Sequence, residues 1–103
     1  MASMPDGVKE LPAEVRDEIE GLVSSLLDRG WSLVSTSYDA SCFGNWHIDL
    51  RNCGSTLRLV KDRSQYMIDG SEVDELKAVG LFRAFDGLQE FRNAITNWLA
   101  SAN

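Results

Sequence analysis

The sequence predicts an α+β fold in which helices cover one face of a four-stranded antiparallel sheet. Three observations lead to this prediction. Apolar residues recur at helical spacing near both ends of the chain, and polar and apolar residues alternate over residues 46–51. The strand-like segments follow one another through links too short for the crossovers of a parallel sheet. Helices on one face follow because an apolar helical stripe and the apolar side of a sheet both need removal from water.

The first predicted element is a helix over residues 12–29. Pro12 suits a first helical turn, and Gly30 is the usual kind of residue just beyond a helix C-terminus. The apolar stripe of this helix consists of Val15, Ile19, Leu22, Val23, Leu26 and Leu27. We expect one domain over residues 1–103, with residues 1–11 forming a flexible leader before the helix.

Four strands are predicted after this helix, joined in sequence order as a meander. Residues 31–38 are β-branched, aromatic and serine-rich without helical periodicity, which is typical of a strand. Residues 46–51 alternate, so that one side is apolar and the other carries His47, Asp49 and Arg51. Short turns then lead to strands over residues 55–62 and 65–69.

A short helix and a longer helix are predicted to follow the sheet and to pack on its apolar face. Ser71 and Asp74 resemble a capping box for the short helix, and Gly80 is expected to stop it. The longer helix has the apolar stripe Leu88, Phe91, Ile95, Trp98 and Leu99. Phe82 and Phe85, between the two helices, are expected to fill gaps in the core. An exposed phenylalanine in that link would instead mark a binding site.

Composition and charge narrow the classes of function. The net charge is −6, and residues 1–29 hold seven acids against three bases, which disfavours direct binding to nucleic acid and favours a basic partner. No apolar run approaches the roughly 18 residues that span a bilayer, and the N-terminus lacks a secretory pattern, so we expect a cytoplasmic protein without membrane contact. One histidine and two cysteines, expected to be reduced, offer no metal-ligand cluster, and no cofactor is expected.

His47, Asp49 and Arg51 admit two interpretations. In an enzyme, His47 would be a general base, Asp49 its orienting acceptor and Arg51 an anion clamp. Alternate residues of a strand lie about 7 Å apart, which is poor geometry for a His-Asp dyad, and no nucleophile or phosphate-loop motif is present. The pattern therefore favours a polar sheet face with cross-strand pairs such as Asp49 with Arg58, and we do not expect an enzyme.

The strand region nevertheless resembles a family. FGNWHIDL followed by LRLVKDRSQYMID is similar to a pattern in small bacterial immunity proteins of polymorphic and contact-dependent growth inhibition toxin systems. The matching positions cover residues 43–69 and are Phe43, Gly44, Asn45, Arg58, Asp62, Arg63 and Gln65. These residues are of a kind that fixes turns, because Gly44 tolerates a strained backbone and Asn45 and Asp62 can cap hairpins.

The resemblance implies a protein that binds a cognate toxin domain in the cytoplasm and neutralises it by stoichiometric occlusion. The acidic charge suits a basic nuclease as the target. The residues we predict to be exposed for partner binding are Glu14, Asp17, Glu18, Asp49 and Arg51. We expect a monomer or weak dimer. The alternative from a different class is a small acidic secretion chaperone or adaptor that binds an effector segment and dimerises.

Overall fold

The computed structural model describes residues 11, 13–39, 41 and 44–101, and the predicted order of elements is confirmed. Helix α1 (Ala13–Asp28) comes first, and strands β1 (Ser32–Asp39), β2 (Asn45–Asn52), β3 (Ser55–Asp62) and β4 (Gln65–Gly70) follow. The short helix α2 (Val73–Ala78) and the longer helix α3 (Leu88–Ser101) complete the fold. All neighbouring strands pair antiparallel in the order β1-β2-β3-β4, so the α+β meander is as predicted.

The sheet has an inner face toward the helices and an outer face toward solvent. Ile48, Leu59 and Ile68 are paired across three strands on the inner face, and each is at most 1% exposed. α1 and α3 contribute the other half of the core, including Ile19, Leu26, Phe91 and Ile95. The period of two along each strand therefore puts the alternate residues, His47 and Arg58 among them, on the outer face.

Helix α1 ends as expected but bends within its length. Ile19 departs from helical geometry with φ −132° and ψ 15°, so the helix has a kink just after Glu18. At the other end, Gly30 has φ 97°, and the amide of Trp31 donates to the carbonyl of Leu26. This is the glycine-dependent C-terminal motif that the sequence predicted. Among the described residues, no helix combines the length and the apolar character needed to cross a membrane.

Both tight hairpins use residues with left-handed backbone. Cys53 and Gly54 connect β2 to β3 with φ of 49° and 88°. Arg63 and Ser64 connect β3 to β4 with φ of 52° and 71°, although neither is a glycine. Two left-handed residues in succession match the twist of the flanking strands, which is why two-residue hairpins favour this turn. The second turn consequently needs stabilisation from outside its own sequence.

The two edges of the sheet are treated differently. The amide and carbonyl of Tyr66 in β4 exchange hydrogen bonds of 2.8 Å with the carbonyl and amide of Phe85, so the link before α3 covers part of that edge. β1 pairs with β2 on one side only, and no described strand pairs with its other side. β1 also contains an irregularity between Leu33 and Ser35. The outer edge of β1 is therefore the uncovered edge within the described part of the sheet.

Three details differ from the sequence prediction. Ser71 does not cap α2, since its hydroxyl accepts from the amide of Thr56 at 2.9 Å and Glu72 is the N-cap residue without a side-chain bond. Leu11, assigned above to the flexible leader, is 3% exposed in the core, whereas residues 1–10 and Pro12 lie outside the described residues. Phe85 is buried as expected, but Phe82 is 42% exposed. Ser71 bonds to the amide of Thr56 near the start of β3, and Phe82 lies in an exposed link. Neither feature can be read from the neighbouring residues in the sequence.

Replacing Gly70 with alanine should destabilise the fold. A β-carbon at this position would meet the backbone carbonyl oxygen of Thr56 and lie 3.0 Å from Cδ2 of Leu57. Because backbone cannot move away cheaply, we expect a loss of about 1–3 kcal/mol in the free energy of unfolding, measured by urea denaturation. Gly21→Ala is the control, since nothing lies within 4 Å there and alanine favours helix by about 0.5–1 kcal/mol. Equal stability of the two variants would contradict the packing described.

Candidate functional site

The outer face of the sheet carries a short polar network at its centre. Asp49 of β2 is directly opposite Arg58 of β3 in register, and its carboxylate accepts from Arg58 Nε at 2.6 Å and from Nη2 at 3.0 Å. The hydroxyl of Ser35 in β1 donates to the same carboxylate at 2.8 Å. The cross-strand pair predicted from sequence is thus confirmed. It links three strands through one carboxylate.

The environment of Asp49 favours its charged form. Hydrogen bonds from Arg58 hold the pKa of Asp49 below its ordinary value of 3.8, partial burial acts in the opposite direction, and the Ser35 hydroxyl adds to the lowering. The side chain of Asp49 is 24% exposed, and that of Arg58 is 52% exposed. This carboxylate is therefore an ionised structural acceptor at neutral pH, with most of its hydrogen-bonding capacity already used.

His47, Asp49 and Arg51 share the outer face as expected, but they do not form a linked group. The hydrogen bonds of the Asp49 carboxylate come from Ser35 and Arg58, and none comes from His47. Arg51 is exposed at the end of β2, opposite Thr56. Without a hydrogen bond between imidazole and carboxylate, the arrangement lacks the geometry by which an aspartate orients a general base.

Shallow depressions and one apolar groove interrupt the outer face. A depression of about 500 Å³ lies over Asp49, Arg51, Arg58 and Asp69, and one of about 340 Å³ lies beside His47. The apolar groove, about 210 Å³, runs between the sheet and the link before α3, and it is lined by Val60, Met67, Ile68, Phe82 and Ala84 together with Arg58, Asp69 and Arg83. Met67 is 36% exposed and Phe82 is 42% exposed. The exposed phenylalanine thus lines a surface groove.

Glu18 belongs to a polar cluster between α1 and the sheet. Its carboxylate accepts from Trp46 Nε1 at 3.1 Å, from Lys61 Nζ at 3.1 Å and from the Tyr66 hydroxyl at 2.6 Å. We call these four residues the Glu18 cluster. The side chain of Glu18 is only 22% exposed, which corrects its predicted position on the exposed side of the helix. Glu18 is enclosed because its hydrogen-bond donors come from β2, β3 and β4 on the inner face of the sheet. The apolar pattern of the helix alone does not indicate these donors.

Opposing effects act on the pKa values within the Glu18 cluster. Burial raises the pKa of Glu18, but hydrogen bonds from Tyr66, Trp46 and Lys61 outweigh it and leave the pKa below the ordinary 4.5. Burial, followed by the hydrogen bond to the Glu18 carboxylate, raises the pKa of the Tyr66 hydroxyl. Glu18 therefore stays a carboxylate and Tyr66 stays neutral over the whole neutral range.

A second group of acids lies on the exposed side of α1. Asp17, Glu20 and Asp28 are exposed, and their positions fall on one side of a helical projection. No ion pair with a described residue involves any of them. We call these three residues the acidic α1 surface. The side chain of Glu14 lies outside the described part of the structure, although its backbone is in α1.

The four predicted partner-binding residues with described side chains are therefore not brought together in one site. Asp17 is on the outside of the helical layer, Glu18 is between the layers, and Asp49 and Arg51 are on the outer face of the sheet. Glu20, Met67 and Phe82 were not predicted as site residues. Glu20 could have been found, since it lies on the same helical side as Asp17. The exposure of Met67 and Phe82 depends on tertiary packing.

Three of the residues that carry the family resemblance, Asn45, Asp62 and Arg63, meet at the β3–β4 turn, whereas Arg58 pairs with Asp49 within the sheet. Asn45 Oδ1 accepts from the amide of Arg63 at 2.9 Å, and Asn45 Nδ2 donates to Asp62 Oδ1 at 3.2 Å. Gly44, just before Asn45, has φ 68°, which a side chain disfavours. Gln65 donates to Asp86 at 2.8 Å and so ties the hairpin to the link before α3. The capping predicted for Asn45 is thus confirmed, whereas Asp62 accepts from the Asn45 side chain, and Phe43 lies outside the described residues.

Glu18→Gln should destabilise the protein at neutral pH, because an amide removes the charge and turns one acceptor into a donor facing other donors. We expect a loss of about 1.5–3 kcal/mol. Since the pKa of Glu18 is lower in the folded chain, its contribution is complete above the unfolded pKa and is lost as pH falls through the folded pKa. The difference between wild type and variant should therefore shrink below about pH 4.

Urea denaturation at neutral and acid pH measures this difference, with Glu20→Gln as the matched control on the same helix. The control should change stability by less than about 0.5 kcal/mol, because Glu20 is exposed and has no described ion-pair partner. A loss in Glu18→Gln that is the same at every pH would contradict the ionised cluster.

Asn45→Ala should weaken the β3–β4 turn, since it removes the side-chain acceptor that satisfies the amide of Arg63. We expect a loss of about 0.5–1.5 kcal/mol in the free energy of unfolding and faster amide exchange at the turn. Asn97→Ala serves as control, because Asn97 is exposed on α3. If the control loses as much stability as Asn45→Ala, the turn does not depend on this contact.

Comparison with known proteins was made at the level of families, individual proteins and structures. No family model, no curated protein and no solved structure matches this chain. The features of the chain that bear on function are therefore the turn motif centred on Asn45, the acidic α1 surface and the outer face of the sheet.

Proposed function

We propose that this protein is an immunity protein that binds a cognate bacterial toxin domain in the cytoplasm and neutralises it by stoichiometric occlusion. The toxin class that best fits is a nuclease with a basic active-site groove. A nuclease needs cationic side chains to hold the phosphate backbone. An acidic protein that covers such a groove competes with the nucleic acid for the same charges, so inhibition requires binding alone.

The turn motif supports the family part of this proposal. The two segments that carry the resemblance are separate in sequence, yet Asn45 from the first bonds to Asp62 and Arg63 from the second. Such contacts give the motif a physical reason to occur as a unit, because the asparagine supports a turn made of non-glycine residues in left-handed geometry. The motif fixes the scaffold and leaves the surface free to vary with the toxin.

The observation that carries the binding part is the acidic α1 surface. Asp17, Glu20 and Asp28 are exposed and form no ion pair with a described residue, so their full charge faces solvent. By contrast, the carboxylate of Asp49 is occupied by Arg58 and Ser35. Among the predicted partner-binding residues with described side chains, Asp17 alone has the exposed, unpaired carboxylate that capture of a basic groove requires.

Unpaired carboxylates on one helix accelerate association as well as orient it. Complementary fields steer a basic partner to the correct surface and raise the association rate above that of neutral partners, with a strong dependence on salt. A protein that must neutralise a toxin inside the cell gains from a fast encounter. The exposed position of this surface on a packed helix keeps it accessible without a conformational change.

The test starts from the C-terminal region encoded by the gene immediately upstream, which we expect to be a toxin that co-purifies with this protein in equimolar amounts. Reversing the acidic α1 surface with Asp17→Lys, Glu20→Lys and Asp28→Lys should lower the association rate about 10- to 100-fold at low salt. Stopped-flow or surface-binding kinetics at several salt concentrations measure the effect, and growth protection on co-expression reports the function.

Glu72→Lys, Asp74→Lys and Glu75→Lys form the control variant, which makes the same change in net charge at the start of α2. It should retain most of the wild-type rate if α1 is the surface used. Equal losses in both variants would mean that net charge alone acts and would overturn the role of α1. Failure of the wild-type protein to bind the upstream toxin region would overturn the proposed function itself.

A further inference from the structure

The uncovered edge of β1 presents unused backbone hydrogen-bonding groups. β1 pairs with β2 on one side, whereas no described strand occupies its other side. The edge at β4 is different, since Phe85 bonds to both backbone groups of Tyr66 and Gln65 bonds to Asp86. One edge is thus partly covered by the link before α3, whereas the other, within the described part of the chain, has the donors and acceptors of a strand that no second strand pairs with.

β1 also lacks most of the features that keep edge strands from pairing. Edge strands are usually protected by lysine, proline, inward-pointing charge or irregular pairing. In β1 the irregularity lies between Leu33 and Ser35, and the stretch from Ser35 to Asp39 pairs regularly with β2. Asp39, at the end, is the only charged residue in the strand. The regular stretch is otherwise made of serine, threonine and tyrosine, which favour or tolerate extended backbone.

We infer that this edge pairs with the same edge of a second copy of the chain, antiparallel about a two-fold axis at Ser37. The register follows from two constraints. Antiparallel neighbours must project to the same face, and the regular stretch Ser35–Asp39 must pair with itself to avoid the irregularity. Centring on Ser37 meets both, since Ser37 then faces its own copy, Thr36 faces Tyr38, and Ser35 faces Asp39. The result is a continuous sheet across both copies.

The charge distribution favours a second copy in this arrangement. A chain with a net charge of −6 repels itself over most of its surface, so self-association needs a contact with few charges. In the register centred on Ser37, the two Asp39 residues lie at opposite ends of the pairing and no like charges face each other. Serine opposite serine on the outer face and threonine opposite tyrosine on the inner face are compatible cross-strand pairs.

The inferred interface between the two copies is small, so we expect a low affinity. A single short strand pair buries less than the roughly 1,200 Å² that stable complexes bury, so the dimer should form reversibly and depend on concentration. Sedimentation equilibrium over about three decades of concentration measures the association. We expect monomer at the low end of the range and a growing dimer fraction at the high end, without larger species, because pairing uses up the open edge of each copy.

Ser37→Lys tests the edge, since it puts two lysines face to face at the two-fold axis. We expect the dimer dissociation constant to rise at least about tenfold. Met67→Lys is the matched control: Met67 lies in the same cross-sheet row as Ser37, through His47 and Val60, but on the opposite edge strand. The control should dimerise as the wild type does. Equal dimerisation of Ser37→Lys would overturn the inference.

Cross-linking tests the register directly. In a background with Cys42→Ser and Cys53→Ser, Ser37→Cys should form a dimeric disulfide under mild oxidation, because facing α-carbons in antiparallel pairs lie about 4.5–5.5 Å apart. Ser32→Cys should not, since its copy would be roughly 30 Å away in this register. Equal cross-linking of both, or a wild type that is monomeric at all concentrations, would overturn the inference. A monomer whose toxin binding is lost in Ser37→Lys would assign the edge to the toxin instead.

Discussion

Burial of the inner sheet face governs this structure. The apolar face of a four-stranded sheet is unfavourable in water. Here the row that includes Ile48, Leu59 and Ile68 is buried because α1 and α3 pack across it. Burial of this face then determines which residues of each strand face the helices and which face solvent. Every alternate residue therefore lies on the outer face, where His47 and Asp49 are neighbours and the carboxylate of Asp49 bonds to Arg58.

Burial of the inner face also determines which charged side chains form ion pairs and which remain exposed to solvent. Lys61 lies on the inner face at the margin of the core, so it requires a partner, and Glu18 supplies one together with acceptors for Trp46 and Tyr66. Arg58 is similarly paired with Asp49 on the outer face. Two of the ion pairs within the described residues thus use charges at the margin of the core and at the centre of the outer face, whereas the third joins the exposed Arg83 and Glu90. The acids on the outside of α1 are in none of them. Exposed acids in no ion pair with a described residue therefore remain on the outside of α1, where a basic partner can reach them.

Distinct parts of the molecule are available for distinct contacts. The acidic α1 surface belongs to the helical layer, the open β1 edge belongs to the side of the sheet, and the apolar groove with Phe82 lies between the outer face and the link before α3. The elements that form them are different, so a substitution in one does not remove the residues of another. The proposed binding of a toxin and the inferred pairing of two copies therefore depend on different residues.

The sequence by itself determined the element order, the strand boundaries to within a residue or two, the meander and the Asp49–Arg58 pair. These depend on local periodicity, on glycines after helices and on short links, all of which act between near neighbours in the chain. Only the tertiary structure decided that Glu18 is enclosed, that Ser71 bonds to Thr56 and that Phe82 is exposed while Phe85 is buried. Helical periodicity assigns a side chain to one side of its own helix, but whether that side meets solvent or sheet donors depends on residues distant in sequence. The separation of the predicted binding residues is also a tertiary property, because Asp17 lies on the helical layer and Asp49 lies on the outer face of the sheet.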